Sequence, residues 1–289
     1  MTSTAHSSSI PLAESHTRPP VAHRVVVKIG TNVVMRDDGR LAVARLHAIV
    51  ESIATLRRNG CEIVLVSSGA IGLGVQRLAL DARPGELSLK QACAAIGQGR
   101  LMAFYADAFD RLDVVSAQIL LTEDDFAVAE RYHNLRATLT TLLRIGAVPI
   151  LNENDTVSTL EIERRDGAPS QPPLFGDNDK LSALIATKID ADLLVLLSDV
   201  DGLFTANPAL HADATRIAQV DRITPPLIAS ADGGGARGRG GMATKLDAAR
   251  VATDAGVRTV IANGRTPGII EAVWGGESVG TVFSPRSAE

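Results

Sequence analysis

The sequence predicts an α/β fold, a central and mostly parallel sheet covered by helices on both faces. Two observations lead there. Short β-branched runs alternate with segments of helical period along most of the chain, and alternation of this kind builds parallel sheets with helices on either side. The composition is globular, with 45% apolar and 21% charged residues over 289 positions. Length alone allows one large domain or two ordinary ones.

Residues 1–22 are rich in Ser, Thr, Pro and His, lack the apolar run of a secretory signal, and read as a disordered tail. Order is expected from Arg24, where a β-branched run ends at Gly30 as a buried strand does. Leu46, Ile49, Val50, Ile53 and Leu56 recur at helical spacing, and Asn59 with Gly60 supplies the stop. Cys61 to Val66 is a second strand running into Ser67, Ser68 and Gly69. Leu89 to Asp110 reads as helix, Val114 to Leu120 as a short strand, Arg131 to Arg144 as helix, and Ala147 to Leu151 as strand. A polar excursion, Asp155 to Phe175, separates these from a helix at Asn178 to Ile189 and a strongly apolar strand at Asp192 to Leu197. A glycine-rich stretch from Gly233 to Gly241 opens a helix over Ala243 to Ala255. Arg258 to Ala262 is a further strand and Val279 to Phe283 a final short one.

Several function classes are set aside early. Net charge is −4 and aromatic residues make up 3%, so neither a basic face nor a stacking platform for nucleic acid is expected. No run approaches the length of a membrane span. Cys61 and Cys93 are too few for a disulfide framework or a zinc cluster. Cys93 sits in an alanine-rich helical stretch as a core residue, and His133 has no serine or cysteine arrangement to serve as a base. A cytoplasmic protein is expected.

In open α/β sheets, ligands collect at the carboxyl ends of strands. The residues there are small, polar or glycine: Lys28 to Thr31, Ser67 to Ala70, Asn152 to Asp155, Ser198 with Asp199, and Asn263 with Gly264. Three glycine turns stand out, at Lys28 to Thr31, Ser67 to Gly74 and Arg237 to Lys245. Backbone N–H groups at such turns and helix starts bind anions. None of the three is a Walker A loop. Basic residues total 29, of which 24 are Arg and only five are Lys, so a lysine in a glycine turn is poor solubility filler. Phosphoryl transfer needs alignment and positive charge around the moving group. Lys28, Lys245 and Asp179 fit those needs, two cations with a carboxylate to hold them. Taken singly, Asn152 to Asp155 and Asp177 to Asp179 also read as helix caps and Asx turns.

These motifs in this order resemble the glutamate 5-kinases of the amino acid kinase superfamily. The shared pieces run from Val26 to Thr31, Val66 to Ile71, Lys90 with Gln91, Ala95 to Gln98 and Gln118 to Thr122, through Ile150 to Asp155, Phe175 to Asp179, Ser198 to Leu203 and Gly240 to Lys245. The Asn-Glu-Asn-Asp and Gly-Asp-Asn-Asp pieces together are the specific ones. The resemblance implies a three-layer αβα sandwich over residues 23–285, whose N-terminal part binds glutamate and whose C-terminal part binds ATP. It implies transfer of the ATP γ-phosphoryl group to the side-chain carboxylate of L-glutamate, with Mg²⁺ accompanying ATP and no protein metal site.

By motif, Lys28 and Lys245 are implied on the transferring group, with Asp179 orienting both. Ser68, Asp155 and Asn178 are implied at glutamate. Lys28, Ser198, Asp199 and the stretch Arg239, Gly240, Gly241, Met242, Ala243, Thr244 and Lys245 are implied at ATP. A homo-oligomer and feedback by proline are further implications. The sequence departs from the pattern in four ways: no length for the PUA domain many members carry, a long segment over Arg164 to Leu174, Arg239 in place of a usual Thr, and the extra tail. Another kinase of the superfamily, for acetylglutamate or aspartate, and a non-catalytic amino-acid sensor are the competing readings. Asp155 favours a free amino acid, because acetylation removes the ammonium group a carboxylate would hold.

Overall fold

Alternation along a single strand builds the three layers. In β1 (Arg24–Ile29), Val25, Val27 and Ile29 face one side of the sheet and Val26 faces the other. That is the period of two expected of a strand buried on both faces. The computed structural model describes residues 22–157, 177–231 and 241–286. After β1 come α1 (Thr31–Val34), α2 (Val43–Arg58), β2 (Glu62–Ser67), α3 (Ala70–Arg77) and α4 (Leu87–Asp110). β3 (Ser116–Leu121), α5 (Asp124–Ala127), α6 (Ala129–Arg144) and β4 (Val148–Glu153) follow. The rest comprises α7 (Asn178–Lys188), β5 (Leu193–Ser198), β6 (Gln219–Val220), α8 (Pro225–Ala231), α9 (Met242–Asp254), β7 (Arg258–Asn263), α10 (Ile269–Trp274) and β8 (Thr281–Phe283).

The eight strands form one sheet in the order β3-β4-β2-β1-β5-β7-β8-β6. Every pairing is parallel except β7 with β8. β1 lies between β2 and β5, with Lys28 in register with Val66 on one side and Leu196 on the other. One face of the sheet is covered by α2, α4 and α10 through Leu46, Ile53, Leu101, Tyr105 and Ile270. The opposite face is covered by α6, α7 and α9 through Leu139, Leu181, Ile185, Leu246 and Ala249. This is the αβα sandwich, and the one antiparallel pair is why "mostly parallel" is the accurate description.

The strand and helix spans agree with the sequence reading to within a few residues. The last strand is shorter than expected, Thr281–Phe283. Ala22 is a correction. The sequence placed it at the end of the tail, but it is buried and its carbonyl accepts a hydrogen bond from Trp274 Nε1 at 2.9 Å. The rest of that tail and the segment Arg164 to Leu174 lie outside the described residues.

Two glycines fix the helix that follows β2. Gly69 caps α3 in the left-handed region, φ +102°, where a Cβ would also approach Val34 to 2.9 Å. Gly97, in the middle of α4, lies against the start of α3, and a Cβ there would run into the Ala70 carbonyl. The end of β2 is pinned from the same side by a buried hydrogen bond between the Ser67 hydroxyl and Tyr105 Oη at 2.8 Å. Burial raises the Tyr105 phenol pKa well above its ordinary value, so it stays a neutral hydrogen-bonding group. Gly97→Ala is expected to lower stability by about 1–3 kcal/mol through forced separation of α3 and α4. An unchanged urea midpoint would contradict the close helix contact.

Candidate active site

Lys28 belongs to β1 and shares the face of Val26, the face that α7 and α9 cover. Strand periodicity therefore aims its side chain at the N-terminal turns of those two helices. α7 begins at Asn178, and its N-cap is Asp177, whose Oδ1 accepts from Lys180 N at 3.0 Å. Asp179 follows in the first turn, where the helix dipole favours a negative charge. α9 starts just after Gly241, which places Thr244 and Lys245 in its first turn.

The three charged groups meet. Lys28 Nζ stands 2.6 Å from Asp179 Oδ1, and Lys245 Nζ stands 3.3 Å from Asp179 Oδ2. Thr244 Oγ1 donates to the same Oδ2 at 3.2 Å. The Asp179 side chain is 0% exposed and each lysine side chain 5%. Burial alone would push the Asp179 carboxyl up. Lys28 and Lys245 outweigh it and hold the pKa below the ordinary carboxylate value. The triad carries two positive charges and one negative, so it has an excess of +1 held out of water. Such a site favours an anion.

The triad lies on the wall of a cleft of about 280 Å³. Lys28, Ser68, Asp155, Asn178, Asp179, Ser198, Asp199 and Lys245 all line it. The first strand turn, the β2–α3 turn, the end of β4 and the end of β5 thus converge, as the carboxyl-end rule requires. On the β2 side, Asn178 Nδ2 donates to Ser68 Oγ at 2.9 Å and to Asn152 Oδ1 at 2.8 Å. On the β5 side, Asp199 Oδ2 accepts from Asn32 Nδ2 at 2.8 Å, and Ser198 Oγ donates to Asp199 Oδ1 at 3.2 Å. Partial burial works to raise the Asp199 pKa, but these bonds keep it lowered. Met242, Ala243 and Thr244 stand in the first turn of α9 behind the triad, with Gly241 at its cap. Arg239 and Gly240 lie outside the described residues.

Residues 23–263 match the model of the amino acid kinase family. The chain belongs to the amino acid kinase family. Curated relatives include a glutamate 5-kinase of Acaryochloris marina, 46% identical over 92% of this chain and 70% of its own length. Others come from Moorella thermoacetica, 47% identical over 92% of this chain and 68% of its own, and Gloeobacter violaceus, 48% identical over 90% and 68%. Among solved structures, a UMP kinase from Bacillus anthracis superposes with a TM-score of 0.61, covering 93% of this chain and 98% of that one at 17% identity. That likeness is one of fold.

Sequence reasoning missed three residues of this amino acid kinase's cleft. Asn32 holds Asp199, and its only signal was its place directly after the first glycine turn. Asn152 joins Asn178 to Gln98, since its Nδ2 donates to Gln98 Oε1 at 2.9 Å. Asn152 lay within a quoted motif but had no role there, and Asn32 lay just beyond one. Arg83 also lines the cleft, from the stretch between α3 and α4, and no motif marked it. His133 is exposed, with Nδ1 2.7 Å from the Ala129 carbonyl. Cys93 is fully buried in the core. No described helix is long and apolar enough to cross a membrane.

Asp179→Asn leaves two buried lysines without their carboxylate. A loss of about 3–5 kcal/mol is expected, as for a broken buried pair. The pH dependence has a definite sign. With a folded pKa below the unfolded one, Asp179 contributes its full stabilisation above about pH 4, and that contribution is lost as pH falls through the folded value. The urea midpoint of the parent should therefore drop on acidification below about pH 4 more steeply than that of Asp179→Asn. Parallel acid limbs would remove Asp179 from the account.

Proposed function

We propose that this chain catalyses transfer of the γ-phosphoryl group of ATP to the side-chain carboxylate of L-glutamate, giving L-glutamyl 5-phosphate, the first intermediate of proline biosynthesis. The observation that carries it is the buried pair of lysines, from two separate elements, held by one carboxylate on the wall of a polar cleft. The similarity to curated glutamate 5-kinases over 90% or more of the chain supports the same acceptor.

In this reading ATP lies over the β5 and α9 side, against Ser198, Asp199 and the start of α9 from Gly241 to Lys245, and the resemblance adds Arg239 and Gly240 to its binding residues. Glutamate lies over the β2 and β4 side, against Ser68, Asp155 and Asn178. A γ-carboxylate oxygen attacks the γ-phosphorus in line. The bond from that phosphorus to the bridging oxygen breaks, and ADP leaves with the electron pair. The acceptor is already ionised at neutral pH, so the step needs no general base. The carboxylate and the phosphate repel one another, and Lys28 and Lys245 offset this where charge builds up. Asp179 is the positioning residue that holds the two ammonium groups at a fixed spacing.

The donor set fits a nucleotide that carries its own magnesium ion, with ammonium groups for its phosphate oxygens. When bound, Mg²⁺ neutralises phosphate charge. A cytoplasmic location, a homo-oligomer and inhibition by proline belong to the same proposal by resemblance.

Hydroxylamine should trap the product as glutamyl hydroxamate when the protein is incubated with glutamate, ATP and Mg²⁺. No hydroxamate from glutamate, but hydroxamate from aspartate or acetylglutamate, would replace the acceptor. Lys245→Ala is expected to cut turnover about 100- to 1000-fold, as for loss of one transition-state donor. The KM for glutamate should change by no more than about threefold. Unchanged turnover would take Lys245 out of the mechanism.

A further inference from the structure

The β2 and β4 half of the cleft is acidic. Glu153 and Asp155 line it from the end of β4, and Asp177 from the cap of α7. One guanidinium lines the same cleft among the described residues, that of Arg83. Arg83 is exposed and makes no hydrogen bond or ion pair with any described residue. It belongs to the stretch that leaves α3, whose Ile71, Gly72 and Val75 line this half. Pro84 follows it, which biases Arg83 to extended backbone and narrows where its side chain is presented.

An amino acid with a side-chain carboxylate brings three charges here. Its side-chain carboxylate must reach Lys28 and Lys245, and its ammonium group is matched by Asp155. The α-carboxylate is left over. Ser68 and Asn178 offer it only neutral groups, and the neighbouring acids repel it. A guanidinium is the group suited to it, with two parallel N–H donors matching two carboxylate oxygens.

We infer that Arg83 binds the α-carboxylate of the substrate and sets the requirement for an acceptor whose α-carboxylate is free and ionised. The inference rests on the glutamate reading of the cleft. Arg83 touches substrate away from the reacting atoms, so it governs binding and choice of substrate.

The test compares L-glutamate with its α-amide, which keeps the ammonium group and the side-chain carboxylate but lacks the α-carboxylate charge. Parent, Arg83→Ala and Arg83→Lys proteins are assayed by ADP release with each. Arg83→Ala should raise the KM for glutamate about 10- to 100-fold, the worth of a charge-assisted pair. The KM for ATP should stay within about twofold, and the urea midpoint should not move. The parental preference for glutamate over the amide should collapse by the same factor, and Arg83→Lys should restore part of it. Loss of a merely structural loop contact would weaken both substrates equally and leave the preference intact. An active parent whose Arg83→Ala variant keeps the parental preference overturns the inference alone. A parent inactive on glutamate overturns it together with the proposed reaction.

Discussion

The contact on which the site depends is the buried carboxylate of Asp179 between Lys28 and Lys245. Its three members come from β1, α7 and α9, separated by more than 60 residues at each step. Each charge would be costly to bury by itself, and each is tolerable because the others are present. A buried ion pair is a poor way to gain stability, since apolar residues of similar volume serve as well or better. The arrangement makes sense as preorganised charge. It holds two ammonium groups at a cleft, in a low-dielectric wall where they act strongly on a developing negative charge.

The sheet order explains why this contact forms where it does. The chain builds β1, then β2, β3 and β4 to one side of it, and returns to place β5 and β7 on the other. The reversal leaves a crevice beyond the carboxyl ends of β1 and β5, which is the switch point of an open α/β sheet. Lys28 is the next-to-last residue of β1, and Ser198 ends β5. The first turns of α3, α7 and α9 meet this crevice through Ala70, Asn178 and Lys245. Their unsatisfied N–H groups add to the positive potential that the lysines establish.

Most of this was legible in the sequence because the relevant signals are local. A β-branched run ending in Lys-Ile-Gly declares a strand and a turn. Asp-Asn-Asp before a helical period declares a cap. Rarity of lysine in an arginine-rich chain marked Lys28 and Lys245. What escaped was non-local or too short to have a period. α1 and α5 have four residues each and β6 has two, so neither a 3.6 nor a 2.0 repeat has room to show. Ala22 looked like tail because its burial depends on Trp274, 252 residues away in sequence. The link from Gln98 through Asn152 to Asn178 joins three elements, and no spacing rule connects them.

The two halves of the cleft differ in how firmly they are built, and that difference bears on specificity. In the half proposed for phosphoryl transfer, the side chains of Lys28, Asp179 and Lys245 are at most 5% exposed and anchored to the core by the strand and helices that carry them. In the half proposed for the acceptor, Asp155 and Arg83 sit on connecting segments, and Asn178 donates a hydrogen bond to Ser68. Transfer chemistry tolerates little displacement, because in-line geometry fails with small errors in position. Recognition of an amino acid's charged head can be altered by exchanging one loop residue while the triad stays in place. A fold organised in this way separates the reaction from the choice of acceptor. On the proposed assignment, the buried lysines set what is done, and the loops around β2 and β4 set to which carboxylate it is done.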